Sequence, residues 1–325
     1  MTYSGQSKIV VLGTGGTIAG RSANAGDNIG YTAAQVGVVQ LMNAIPTLSS
    51  ALHGHVLVAE QVAQIDSKDM SFQVWQQLAA RCAHWLDDAS VKAIVITHGT
   101  DTLEETAWFL QMVLQPRKPV VLTCAMRPSS ALAPDGPQNV LDAMTVALDA
   151  AVYGVVAVCA GVVHSAREVR KNHPYRLDAF DSGDAGPLGF VEEKRVRWVK
   201  NAPDLSSSRP HFAIKQMFYL LQPPPRVEIV LNHAGAGGAV VDFLVKDGVR
   251  GLVAAGTGNG SLHHELEAAL LRAQAAGVRV VRATRCAQGQ VLPRADDVIG
   301  DSHGLSPVKA RIALMLELLS GPDQQ

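Results

Sequence analysis

IVITHGTDTLEE, residues 94–105, runs from an unbroken apolar, β-branched stretch through Gly99 and Thr100 into a segment with helical spacing. An apolar run without alternation is the pattern of a strand covered on both faces, and such strands belong mostly to parallel sheets. Beyond the loop, Leu103, Ala107, Leu110 and Leu114 recur on one helical face across 102–114, and Glu104 and Glu105 suit the positive end of that helix. VVLGTGGTIAG (10–20) and LVAAGTGNG (252–260) repeat the passage from apolar run to glycine and threonine. Further apolar runs at 9–12, 56–59, 93–97, 120–124 and 155–158 alternate with helical patterns, one of them over 69–85. That rhythm predicts an α/β fold: a parallel-rich sheet covered by helices.

Outward from this core, 191–200 mixes charge with Val196, Trp198 and Val199 and reads as a partly solvated strand or hairpin. NAPDLSSSRP (201–210) and QPPPR (222–226) then break the pattern, since proline removes backbone donors and cannot continue a helix or central strand. The chain is therefore expected to comprise an N-terminal α/β domain at 1–200, a linker at 201–226 and a smaller α/β domain at 227–325. In the last, strands are expected at 227–231, 251–255 and 278–283 and helices at 261–276 and 307–319, with Ser306 as N-cap and Pro307 in the first turn.

The chain has 325 residues, is 47% hydrophobic, and carries a formal net charge of −1. It can bury a sizeable core, but it has no electrostatic footprint for nucleic acid or an anionic membrane, so a small molecule or another copy of itself is the expected partner. No apolar run approaches a membrane span, and the run at 9–12 is too short for a signal-peptide core; a cytoplasmic location is expected, although a chain whose leader had been removed would read the same way. Cys82, Cys124, Cys159 and Cys286 are scattered without a CxxC pair, three among apolar neighbours, which reads as buried, inert thiols. Eleven histidines include the pairs His53/His55 and His263/His264 but no HExxH, so no metal site is expected.

GTGGTIAG fails as a dinucleotide fingerprint because Ile18 stands where a third glycine is needed, and a GxxxxGK[ST] phosphate loop is absent. Tight turns are the simplest alternative. In an open parallel sheet, however, such loops emerge together at the carboxyl ends of the strands, where ligands bind. Thr17, Thr100 and Asp101 would then converge, bringing two hydroxyls, a carboxylate and glycine-exposed N–H groups to one place. These are the parts that acyl transfer requires.

TGGTIAG (14–20) and THGTDT (97–102) resemble the two signatures of bacterial L-asparaginases, with SxDM at 67–70 as a third. The resemblance extends over AMRPSSALAPDGPQN (125–139), GPLG (186–189) and AAGTGNG (254–260), covering essentially the whole chain. It implies a larger flavodoxin-like domain and a smaller α/β domain, assembled as a homotetramer of close dimers. It also implies hydrolysis of L-asparagine to L-aspartate and ammonia through a covalent acyl-threonine, with minor glutaminase activity and no cofactor. Two other readings, an asparaginase-like amidotransferase subunit and an amide-binding sensor without turnover, are weakened respectively by a first strand that begins near residue 9 and by the presence of Thr17, Thr100 and Lys171.

Carried over by residue, the resemblance makes Thr17 the nucleophile, with the Tyr31 hydroxyl close to it, and groups Thr100 with Asp101 and Lys171. Lys171, in AREVRKNHPYR, would otherwise read as a solvated lysine. It takes a proton only if its surroundings keep it neutral, whereas pairing with Asp101 favours the ammonium, and both readings stand at this point. The implied substrate pocket comprises Asp66, Ser67, Gly99, Thr100 and Asp101, with Asp101 on the α-ammonium and Ser67 on the α-carboxylate; Ser67 also reads as a helix N-cap. The partner subunit would add Asn259 and the acid near Asp296. Two positions depart from the family: Lys68 where glutamine is common, and Asp296 where the acid is usually longer. GRSANAGDNIGY (20–31) reads as a mobile lid that carries Tyr31 at its end.

Overall fold

The computed structural model describes residues 6–200 and 223–320 and divides into two compact units, Met1–Ile214 and Lys215–Gln325. The first unit contains β1 (Lys8–Gly15), α1 (Val38–Asn43), α2 (Leu48–Ala51), β2 (Val56–Ile65), α3 (Phe72–Asp87), β3 (Val91–Thr97), α4 (Leu103–Leu114), β4 (Val120–Thr123), α5 (Gly136–Leu148) and β5 (Val155–Cys159). The strands β6 (Val162–Ser165), β7 (Arg170–Lys171), β8 (Phe180–Asp181), β9 (Gly189–Glu192) and β10 (Arg195–Trp198) complete it. Eight strands form one sheet in the order β10-β9-β6-β5-β4-β3-β1-β2. The five from β5 to β2 are parallel and β6, β9 and β10 extend the edge antiparallel. The order 2-1-3-4-5 is that of a flavodoxin-like sheet.

The apolar runs explain the layering. Ile9, Val11, Ala93, Val95, Val121 and Val156 turn one way, into a core closed by Val38, Leu41 and Met42 of α1 and Val140, Ala143 and Met144 of α5. Because successive strand side chains alternate, Val10, Leu12, Ile94 and Ile96 turn the other way, where α3 and α4 cover the sheet. The charged segment 191–200 forms the β9–β10 hairpin, as its mixed pattern predicts. Two local expectations shift. The helix predicted over 69–85 begins at Phe72 and is capped by Ser71, whose hydroxyl accepts from Val74 N; residues 67–69 form a separate 3-10 turn, so Ser67 caps no α-helix. Cys82, Cys124 and Cys159 are buried as expected but Cys286 is exposed, and the sequence-distant Cys124 and Cys159 meet with sulfurs 3.4 Å apart.

In the second unit β11 (Val227–Leu231), α6 (Ala239–Lys246), β12 (Gly251–Gly256), α7 (His264–Ala275), β13 (Arg279–Thr284) and α8 (Pro307–Ser320) build a three-stranded parallel sheet, β11-β12-β13. Val241 and Leu244 of α6 and Leu266, Ala269 and Leu270 of α7 close a core on Val230, Leu252, Ala254 and Val280. Ser306 precedes α8 as predicted, but its buried hydroxyl makes no hydrogen bond among the described residues. Of the linker expected at 201–226, residues 201–222 lie outside the described residues. Among the described residues no helix is long and apolar enough to cross a membrane.

Candidate active site

The β1/β3 pair is the point where the strand order reverses, the place at the carboxyl ends of an open parallel sheet where ligands bind. Gly13 lies opposite Thr97 in the parallel ladder, and Thr14 Oγ1 donates to Thr97 O at 3.0 Å, tying the two strand ends together. Thr14 is thus spent on the sheet and Thr17, three residues on, is not. Gly15 and Gly16 take φ of 101° and 80°, a region that side chains disfavour, and turn the chain across β3. A Cβ on Gly16 would overlap Gly99, and one on Gly99 would overlap Ser67 Oγ. The loops after β1, β2 and β3 therefore meet backbone to backbone.

Thr17 opens a 3-10 turn, Thr17–Ala19, and its Oγ1 lies 2.6 Å from the Tyr31 hydroxyl. Tyr31 comes from the base of the segment 20–31, beside a two-bond bridge in which Arg21 N donates to Thr32 O and Thr32 N to Arg21 O, at 2.9 and 2.8 Å. Its ring rests on Gly20, where a Cβ would stand 2.8 Å from Tyr31 Cδ2. Burial raises the Tyr31 phenol above its ordinary value against the opposing effect of the Thr17 bond, and Asp66 and Asp101 raise it further. Tyr31 is consequently the neutral phenol at neutral pH.

The second group follows β3. Lys171 Nζ donates to Thr100 Oγ1 at 2.7 Å and to Asp101 Oδ1 at 2.6 Å. Lys171 is largely covered, whereas about half of the Asp101 side chain, 51%, remains open to solvent. Ser67, 3% exposed, accepts from Asp101 N at 3.1 Å, and its carbonyl accepts from Thr102 Oγ1 at 2.8 Å, which stitches the 67–69 turn to the THGTDT loop. Asp66 caps that turn through Lys68 N. The Lys68 ammonium is drawn to its flanking acids, 2.6 Å from Asp69 and 3.4 Å from Asp66.

Four residues that sequence reasoning did not assign to the site support it. Glu104 Oε1 accepts the backbone N–H of Lys171 at 3.1 Å and so places the strand that carries the lysine. Its sequence signal was absorbed by the simpler role of an acid in a first helical turn. His98, fully buried, has Nδ1 2.7 Å from Gly99 O and Nε2 2.9 Å from Thr106 Oγ1, which also accepts from Trp75 Nε1 at 2.9 Å. The Gly99 carbonyl can only accept, so Nδ1 carries the proton and donates to it, and in the neutral ring Nε2 accepts from the Thr106 hydroxyl. Burial lowers the imidazole to about 4 despite that last bond, keeping His98 neutral.

Thr17, Tyr31, Asp66, Ser67, Gly99, Thr100, Asp101 and Lys171 all belong to the first unit and to these joined loops. Asn259 and Asp296 belong to the second. Asn259 donates to Leu292 O at 3.1 Å and accepts from Leu292 N at 2.7 Å, and Asp296 pairs with Arg294 at 2.7 Å. Among the described residues no group of three His, Cys, Asp or Glu side chains gathers as a metal site.

Comparison with known proteins places the chain. The asparaginase N-terminal family model matches residues 8–204, and the glutaminase/asparaginase C-terminal domain model matches 226–325. The chain is 36% identical to L-asparaginase 2 of Escherichia coli K12, across 100% of this chain and 94% of that protein. It is also 36% identical to the glutaminase-asparaginase of Pseudomonas fluorescens biotype A, across 98% and 88%. The crystal structure of a probable cytoplasmic L-asparaginase from Campylobacter jejuni superposes with a TM-score of 0.90 at 34% identity, covering 98% of this chain and 97% of that one. With both family models matched in order and the two-unit α/β fold in common, the chain belongs to the asparaginase family.

Proposed function

We propose that this chain hydrolyses the side-chain amide of L-asparagine to L-aspartate and ammonia, with L-glutamine as a minor substrate, through an acyl-enzyme on Thr17. The observation that carries the reading is the 2.6 Å Thr17–Tyr31 bond beside the Thr100–Asp101–Lys171 group, on a chain whose relatives are named L-asparaginase and glutaminase-asparaginase. Thr17 Oγ attacks the amide carbon, its proton passes to Tyr31 as the phenol gives up its own, and the amide nitrogen leaves protonated as ammonia. Water then attacks the threonine ester, aspartate departs, and Thr17 recovers its proton. A neutral phenol suits a relay better than a standing base, which agrees with the raised Tyr31. Thr100 and Lys171 orient the water, and the half-open Asp101 receives the substrate ammonium. Ser67 Oγ, with one lone pair used by Asp101 N, keeps its proton for the α-carboxylate, and Asp66 and Gly99 complete the pocket.

The same proposal assigns 1–200 as the catalytic domain, 201–226 as a linker and 227–325 as the smaller domain, a division supported by the limits of the two family models. It takes the working enzyme as a cytoplasmic homotetramer of close dimers in which Asn259 and Asp296 reach the partner's substrate ammonium. A coupled ammonia-release assay on L-asparagine, L-glutamine and D-asparagine tests the activity. Fastest release from L-asparagine is expected, and no release from any of the three would overturn the assignment.

A further inference from the structure

The segment 20–31 has little apolar side chain with which to hold itself in place; Ile29 is 78% exposed. Its order comes from hydrogen bonds. Asn24 and Asp27 close local turns on Gly26, Ile29 and Gly30. Across from it, Ser22 N donates to Ser130 Oγ at 2.8 Å and Leu132 N donates to Ala25 O at 3.2 Å. Ser129 spends two donors on one acceptor: its N–H and its Oγ both reach Gly20 O, at 3.0 and 2.7 Å.

The facing segment is closed on itself. The Asp135 carboxylate accepts from Met126 N and Arg127 N, each at 2.9 Å, and from Asn139 Nδ2 at 3.2 Å, while Arg127 Nη1 donates to Ala133 O at 3.0 Å. One wall is thus braced from within, and the other is fastened to it. Gly20 is the joint: its carbonyl points to Ser129, and its bare Cα carries the Tyr31 ring.

We infer that Ser129 is a positioning residue for Tyr31: by fixing Gly20 with both donors it holds the surface on which the ring packs, and through it the Tyr31–Thr17 hydrogen bond. The inference rests on the proposed role of Thr17 and Tyr31 and adds a residue outside their contact. If Ser129 served only to close the 128–131 turn, its hydroxyl would have no bearing on turnover.

Steady-state kinetics on L-asparagine with the full-length wild type, Ser129→Ala, Ser129→Thr, Tyr31→Phe and the Ser129→Ala/Tyr31→Phe double variant separate these roles. Losing one of the two bonds to Gly20 is expected to lower kcat by roughly 3–10-fold with KM changed by less than about twofold, since Ser67 and Asp101 are untouched. Ser129→Thr, which keeps the hydroxyl, is expected to recover most of that loss. In the Tyr31→Phe background the Ser129→Ala loss is expected to shrink below about twofold, because the group it positions is gone. A wild-type kcat in Ser129→Ala, or losses that multiply in the double variant while Tyr31→Phe is itself impaired, would overturn the inference. A Tyr31→Phe enzyme with wild-type kcat would instead remove the role of Tyr31 on which the inference stands.

Discussion

The two units use the same motif to opposite ends. In the first, buried strands β1 and β3 run into Gly-Gly-Thr and Gly-Thr, and the hydroxyls of Thr17 and Thr100 face Tyr31 and Lys171. In the second, buried β12 runs into Gly256 and Thr257, yet Thr257 Oγ1 donates to Ser261 O at 3.1 Å and accepts from Asn232 Nδ2 at 3.3 Å, closing its own turn. Asn259, two residues on, has both ends of its amide committed to Leu292. The difference lies in what surrounds each loop. At the β1/β3 switch point other chemistry-bearing loops converge on the threonine, whereas a Cβ on Gly256 would run into Gly260 of its own turn. A glycine-threonine turn after a strand is therefore a scaffold, and its chemistry depends on which groups the topology delivers to it.

Breaking the first loop should cost the most. Thr17→Ala is expected to lower kcat by at least about three orders of magnitude while still binding aspartate, because the covalent route is lost and the substrate anchors remain; parallel turnover and binding measurements check this. Asn259→Ala sharpens the comparison by asking whether the second loop only builds a turn. Under the shared-site proposal it is inactive alone, and chains carrying Thr17→Ala and Asn259→Ala, unfolded and reassembled together, regain part of the wild-type activity. If reassembly restores nothing beyond either parent, Asn259 acts within its own chain.

A smaller effect separates the units by pH. His98, behind the first loop, titrates near 4 folded and near 6.5 unfolded. Its neutral form thus contributes fully above pH 6.5, and the contribution is lost as pH falls toward 4, about 3 kcal/mol at most. Melting temperatures of wild type should fall more steeply across that window than those of His98→Asn. The smallest effect is expected for Thr257→Ala: about 1–2 kcal/mol of stability from the two lost hydrogen bonds, by denaturant titration, with kcat within about twofold of wild type.

Much of the fold was legible because β1, β3, β4 and β5 are continuous apolar runs, a pattern that buried parallel strands impose. Helix α5 was not, although Val140, Ala143, Met144 and Ala147 carry helical spacing: it opens on Gly136 and Pro137 after a loop rich in serine and proline, which reads as more loop. The two-residue β7 is too short for any periodicity, so Lys171 looks solvated until β3 and Glu104 are placed around it. Thr17 and Asp101 stood out because they follow strands. Ser129, which acts through the Gly20 carbonyl, has no local pattern at all; only the fold brings residues 109 positions apart into contact.

The covalent step itself tests the central claim most directly. Enzyme mixed with L-asparagine, quenched in acid within its first turnovers and digested, should yield a peptide containing Thr17 that is heavier by the mass of asparagine less ammonia, with the modification on that threonine and absent from Thr17→Ala. A fully active wild type whose quenched peptides carry no such adduct at Thr17, or carry it on Thr100, would contradict the account.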